Sequence, residues 1–194
     1  MLKRLLDILV SGAALIASLP FWLAIGVAIV LEDGWPVLYP QTRVGRRGRI
    51  FRAYKFRSMI KDAEKVSGPV VADQDDPRVT SVGRILRKAA LDEIPQLLNI
   101  FKGDMSWVGP RPERPEFVRQ FLAEIPGYGR RHDIRPGLTG MAQVYGRYYT
   151  DAADKLKYDL YYLENRSLLL DFRLFVKSWL ITAKARWDSA AERR

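Results

Sequence analysis

Hydropathy along the chain divides it near Leu31. Between Asp7 and Glu32 no residue is charged, and Ile8 to Leu31 reads ILVSGAALIASLPFWLAIGVAIVL. At 1.5 Å per residue that run makes a helix of ~36 Å, and a bilayer core is about 30 Å thick, so hydropathy alone suits one spanning helix. Pro20 argues for another arrangement. It removes a backbone donor and crowds the preceding turn, leaving two pieces near ~18 Å, each too short to cross. Basic residues flank both ends: Lys3 and Arg4 before, and Arg43 to Arg57 after, with no acid from Gln41 to Met59. Lys and Arg beside a hydrophobic segment favour the cytoplasmic side, so both ends ask for the same side. A helix-break-helix hairpin re-entering one leaflet meets both demands, with Ser18 placed to offer a hydroxyl to the backbone freed at Pro20. A cleaved signal peptide suits the segment less well, because Asp7 spoils the basic leader and the apolar run is long.

Beyond Trp35 the pattern shortens. Apolar and basic residues mix in VLYPQTRVG and RIFRAYKFRSM around Arg-Arg-Gly, which predicts two short strands and a turn between Trp35 and Met59. Ile60 to Pro77 is polar and reads as a short helix and a loop. Thr80 or Ser81 caps a helix through Lys88, and a second helix runs from Leu91 to Phe101, with Pro95 near its start and Gly103 past its end. Met105 to Pro112 is turn-rich. Pro115 to Ile125 is helical, with Phe117, Phe121 and Leu122 on one face. Five glycines between Pro126 and Arg147 suggest a loop whose backbone can approach a ligand. Asp151 to Glu164 and Ser167 to Trp187 are the last helices. The final one suits a core helix and a helix in the bilayer interface equally well, with Lys184, Arg186 and Trp187 at headgroup level. No repeat or low-complexity linker marks a second domain. The fold class is α/β, mostly helical: a re-entrant membrane hairpin over 1–34, one domain over 35–187 with a small β-hairpin and amphipathic interfacial helices, and a polar tail over 188–194.

Composition narrows the chemistry. Of 194 residues, 32 are Lys or Arg and 22 Asp or Glu, with one His, no Cys and a net charge of +10; the 48% apolar content excludes a disordered polyelectrolyte. Without Cys there is no disulfide, no thiolate-bound metal and no thiol nucleophile. The single His132 rules out a His-rich metal site, so a metal here is a hard cation such as Mg²⁺, held by carboxylates and phosphates. The charge excess points to an anionic partner, and nucleic acid, anionic lipid and a phosphorylated small molecule all fit.

The pair Asp92-Glu93 lies in ALDEIPQLL, at a helix start and shortly after Arg84, Arg87 and Lys88. Alone, such a pair ordinarily complements the helix dipole or neighbouring arginines. In this setting a carboxylate can also bind Mg²⁺ or attack phosphorus to form an aspartyl phosphate, while Arg grips phosphate oxygens in bidentate fashion. Lys55 and Arg57 in YKFRSM, Arg111 in GPRP and Arg135 in HDIRPGLTG would each, in isolation, be a solvated surface charge. Pro and Gly beside Arg111 and Arg135 hold the backbone in defined turns and so aim the guanidinium. P-loop, dinucleotide-binding, zinc and nucleophilic-serine motifs are absent.

Read together, KRLLDI, the Pro-broken segment, YKFRSM, RKAALDEIPQLLNIFKGDMSWVGPRP, HDIRPGLTGMAQVYGR and KYDLYYLENRSLLLDF run in one order from Lys3 to about Ala185. In that set the chain resembles the small monotopic phosphoglycosyl transferases, the bacterial sugar transferase family that starts polysaccharide and glycoconjugate assembly on polyprenol phosphate. The resemblance implies an enzyme on the cytoplasmic face of the bacterial inner membrane. It would take a sugar 1-phosphate from a nucleotide diphosphate sugar, release the nucleoside monophosphate and pass the phosphosugar to polyprenyl phosphate. It casts Asp92 as nucleophile and Mg²⁺ contact, Glu93 as its acidic partner, and Arg87 and Arg111 as phosphate-holding residues. Lys55, Arg135, Gln143 and Arg147 are substrate-side candidates, and Asp159 in KYDLYY is an acid for metal or for support. Loops over 68–77 and 137–149 would recognise the sugar. Ser18 and Pro20 mark the membrane break. Membrane lipids are partners, nucleic acid is not, and a homo-oligomer stays open. The rival from the residues alone is a membrane-anchored basic module for nucleic acid or anionic lipid, with Asp92 and Glu93 structural.

Overall fold

The computed structural model describes residues 1–63, 76–146 and 150–183. Arg147, the basic end of the last helix, the tail over 188–194 and most of the loop over 68–77 lie outside the described residues.

Helix α1, Leu2–Asp33, is 32 residues long with Pro20 inside it. It is long and apolar enough to cross a membrane by length and composition. The chain stays helical through Pro20, where two separate helices were expected. Proline deprives the Ile16 carbonyl of its donor, but Ser18 does not replace it: the hydroxyl donates to the Leu15 carbonyl at 2.9 Å and accepts from Trp22 Nε1 at 3.2 Å. One lost bond is tolerated because packing holds the helix on either side of it.

The face of α1 toward the body carries Lys3, Asp7, Ser11, Leu15, Ser18, Trp22, Ile25 and Ile29, close to a helical repeat. Asp7 and Ser11 are 3% and 0% exposed, while Ile16 and Leu23 are each 72% exposed. The inward face thus carries polar groups among its apolar ones, while the outward face is apolar, the reverse of a water-facing helix. Both ends are tied to the body. Near the start, Asp7 Oδ1 accepts from Ser106 Oγ at 3.0 Å and from the Trp107 N–H at 3.2 Å, and Lys3 meets Asp171 at 2.6 Å. Near the finish, Glu32 accepts from the N–H groups of Ser81 and Val82, and Arg57 donates to the Asp33 and Gly34 carbonyls at 2.9 and 2.7 Å.

Strands β1 (Leu38–Val44) and β2 (Ile50–Phe56) form the expected antiparallel hairpin, joined by a 3-10 turn at Arg46–Gly48. Helix α2 (Ser81–Lys88) is capped by Thr80, whose hydroxyl accepts from the Gly83 N–H at 2.9 Å. The single helix expected from Leu91 to Phe101 divides into a 3-10 turn, Leu91–Glu93, and α3, Gln96–Lys102. Pro95 at the α3 cap lies between them, and Ala90 in a left-handed conformation (φ 53) sets the 3-10 turn off from the end of α2.

Strands β3 (Ser106–Val108) and β4 (Gly137–Thr139) pair in parallel within segments read as turn and loop. Three residues are too few for an alternation to show. The glycines serve this contact rather than a ligand's approach: a Cβ on Gly137 would lie 2.1 Å from the Gly109 nitrogen. Helix α4, Pro115–Glu124, buries Val118 and packs Phe121 beside it, while Leu122 is exposed, a shift from the face predicted. The chain continues through a 3-10 turn at Tyr128–Asp133 and helices α5 (Met141–Tyr145), α6 (Ala152–Asn165) and α7 (Leu168–Ala183). Helix α7 meets both readings of the sequence, for it buries Leu174 and Ser178 yet leaves Phe172 and Trp179 about two-thirds exposed.

Candidate active site

Asn99 brings the site's two main elements together. It is fully buried; its Oδ1 accepts from the Tyr54 N–H at 3.0 Å and its Nδ2 donates to the Arg52 carbonyl at 2.7 Å. The amide thus pairs with the backbone of β2 as a neighbouring strand would, and lays α3 along it. As a result the acids at the head of α3 face Lys55 near the end of β2. Lys55 Nζ is 2.7 Å from Glu93 Oε1 and 3.8 Å from Asp92 Oδ2. Arg111 closes a two-point fork on Glu93, Nη2 to Oε1 at 2.5 Å and Nη1 to Oε2 at 3.3 Å. Arg87 approaches from α2, its Nε donating to Ser58 Oγ at 2.9 Å.

The adjacent carboxylates differ sharply. Burial pushes Glu93 up, but Arg111 and Lys55 outweigh it and hold the group well below the usual carboxylate range. Burial pushes Asp92 up, and the attraction of Lys55 does not cancel that effect and the repulsion from Glu93, so its net shift is upward. Among the described residues the Asp92 carboxylate accepts no hydrogen bond, and Lys55 is its one ion-pair partner. Glu93 is therefore a clamped anchor and Asp92 a buried group that accepts no hydrogen bond among the described residues. The lone imidazole, His132, is held neutral, burial lowering it to about 4.

Among the described residues no three His, Asp or Glu side chains gather as a metal cage. Mg²⁺ commonly takes one or two carboxylates and completes its shell with water and substrate phosphates. The Asp92 carboxylate, which accepts no hydrogen bond among the described residues, fits that mode.

Four expected residues, Asp92, Glu93, Lys55 and Arg111, meet directly, and Arg87 acts on Asp92 electrostatically. Asp159 faces elsewhere. It pairs with Arg131 at 2.8 Å, with side chains 2% and 5% exposed, and burial raises it to about 6 against the pull of Arg131. Arg131 in turn donates to the Arg111 carbonyl at 2.8 Å and to the Tyr128 hydroxyl. Asp159 is thus linked through Arg131 to the backbone of Arg111. Arg135 Nε donates to the Gly103 carbonyl at 2.8 Å, at the far end of α3, and Gln143 Nε2 donates to the Leu138 carbonyl at 2.9 Å. Neither has a hydrogen bond or ion pair to the Asp92 cluster. Asn99, Ser58 and Arg131 went unread in the sequence; for Asn99 the available signal is a polar residue set within the apolar run LLNIF.

The family described as bacterial sugar transferase matches residues 1–185. The UDP-N-acetylgalactosamine-undecaprenyl-phosphate N-acetylgalactosaminephosphotransferase of Aeromonas hydrophila is 47% identical over 91% of this chain, which spans 42% of that protein. The exopolysaccharide production protein PSS of Rhizobium leguminosarum bv. phaseoli is 43% identical over 89% of this chain and 90% of its own length. The UDP-glucose:undecaprenyl-phosphate glucose-1-phosphate transferase of Klebsiella pneumoniae is 41% identical over 89% of this chain, which spans 38% of it. With the match running through the long apolar helix α1 and every element of the Asp92 cluster, the chain belongs to the bacterial sugar transferase family.

Proposed function

We propose that this protein transfers a sugar 1-phosphate from a UDP-sugar to undecaprenyl phosphate in two displacements through Asp92. The donor and acceptor classes follow the names of its relatives. The observation that carries the mechanism is the contrast between the acids, with Glu93 held by Arg111 and Lys55 and Asp92 unbonded.

In the first displacement an Asp92 oxygen forms a bond to the phosphorus bearing the sugar, and the bond from that phosphorus to the bridging oxygen of UMP breaks; UMP leaves with the electron pair. In the second, an oxygen of the lipid phosphate attacks the same phosphorus and Asp92 leaves as free carboxylate. The acyl phosphate formed between them conserves much of the transfer potential of the donor. Arg111 and Arg87 offset charge on the phosphoryl oxygens, and Lys55 steadies both carboxylates. Asp92 would hold Mg²⁺ together with the substrate diphosphate, the cation supplying charge neutralisation. Because the acceptor is a lipid, the outward apolar faces of α1 and α7 set the site at a membrane surface, with α1 dipping into one leaflet from the cytoplasmic side.

Incubating purified protein with a panel of UDP-sugars and Mg²⁺, without acceptor, should release about one UMP per chain and add the mass of one phosphosugar at Asp92. Asp92→Asn should do neither. UMP release by that variant at the wild-type rate would sink the mechanism.

A further inference from the structure

At the tip of the β1-β2 hairpin, Arg46, Arg47 and Arg49 gather with Arg135 around a cavity of about 260 Å³ that also reaches Ile50 and Asp104. This is a different place from the Asp92 cluster. Lys55 lies five residues further along β2 than Ile50, about 16 Å at strand spacing. Four guanidinium groups here face one carboxylate, and Asp104 already accepts from Asn99 Nδ2 at 3.2 Å. Arg46 Nε donates to the Asp133 carbonyl at 3.1 Å and Arg135 to that of Gly103, so both are fixed in the wall. Arg47 and Arg49 have no hydrogen-bonded or ion-paired side-chain partner among the described residues. Arg47 is also held at φ 57, a conformation that residues with a Cβ seldom adopt.

The neighbouring surface is apolar. Ile50 in the wall is 59% exposed, and Phe101, two residues before Gly103, is 46% exposed. Phe101 packs toward α1 at Gly12, and Arg4 donates to the Ile100 and Phe101 carbonyls. The cationic cavity thus has exposed apolar side chains beside it, Ile50 in its wall and Phe101 between it and α1. A free anion would leave the apolar surface unused, and a neutral lipid would leave the guanidinium groups unused; an amphiphile with a phosphate head uses both. We infer that this cavity binds the phosphate headgroup of an anionic membrane lipid, apart from the sugar-transfer site. The inference needs α1 to lie against lipid, but not the chemistry at Asp92.

Full-length protein in a non-ionic detergent can be titrated with phosphatidylglycerol, phosphatidylcholine and inorganic phosphate, counting bound molecules by native mass spectrometry. Phosphatidylglycerol should bind at least ~10-fold more tightly than phosphatidylcholine or phosphate. Arg49→Gln and Arg47→Gly, the latter a residue suited to positive φ, should each weaken phosphatidylglycerol binding several-fold while leaving UMP release unchanged. Undiminished binding by both variants overturns the site. Inorganic phosphate binding as tightly as the lipid does so too, by making the cavity a site for soluble anions. Because the readout is binding, its failure is separate from a failure of UMP release.

Discussion

Asp92 and Glu93 are neighbours in sequence, yet burial and pairing drive their protonation in opposite directions. The folded pKa of Asp92 is raised, so the native state holds that proton more tightly than the unfolded chain, and ionising it subtracts stability as pH rises above the unfolded value. Asp92→Asn should therefore raise the melting temperature at pH 7 by a few degrees, since ~1 kcal/mol moves a chain of this size by about 2–4 °C, while abolishing turnover. An unchanged or lower melting temperature counts against the burial effect. Glu93 has the opposite sign: its lowered pKa contributes stability above the unfolded value, lost as pH falls through the carboxylate range. Glu93→Gln should cost about 2 kcal/mol in a denaturant titration, less than a fully buried pair because Arg111 is 41% exposed. Asp159→Asn, which strands the buried Arg131, should cost about 3–5 kcal/mol and raise KM for the donor more than it lowers kcat, through the loosened Arg111 backbone. The acids and arginines of the cluster were legible because each sits in a compact motif. Asn99, Ser58 and Arg131 were not, because their partners lie 45, 29 and 20 residues away and only folding brings them near.

Among the elements, legibility followed local chemistry. Thr80 and Asp151 cap α2 and α6, so those helices could be placed from sequence within a residue or two; Gly103 likewise marked the end of α3, but its start fell five residues later than expected. Strands β3 and β4 escaped because their stability comes from each other across a long connection, with no periodic signal in either. Gly83 shows what such contacts require. A Cβ there would sit 2.0 Å from the Ser58 carbonyl oxygen, so α2 can pack on that backbone only with glycine. Arg87 reaches Ser58 through the same contact. Gly83→Ala should move α2 outward, cost more than about 2 kcal/mol in thermal or denaturant unfolding, and lower kcat by misplacing Arg87. An alanine variant with normal stability and turnover would show that α2 gives way without consequence.

At the scale of the whole molecule, the attachment of α1 bears on how the protein meets a membrane. Its first turns are held through Lys3 and Asp7, and its last through Glu32, Asp33 and the packing of Ile25 and Ile29 with Phe56 and Leu86. All these partners belong to one folded body. A helix crossing a ~30 Å hydrocarbon core would have to release one set, leaving Asp7 or the carbonyls served by Arg57 without their donors. The basic residues at both ends favour the same side for an independent, electrostatic reason. Because the chain has no cysteine, single substitutions report cleanly. Leu2→Cys and Thr42→Cys, both at exposed positions, should react with an impermeant maleimide in inside-out membrane vesicles and stay unlabelled in intact spheroplasts. Labelling of one position from each side would mean that α1 spans the bilayer, and that either the Asp7 or the Glu32 attachment is absent in the membrane.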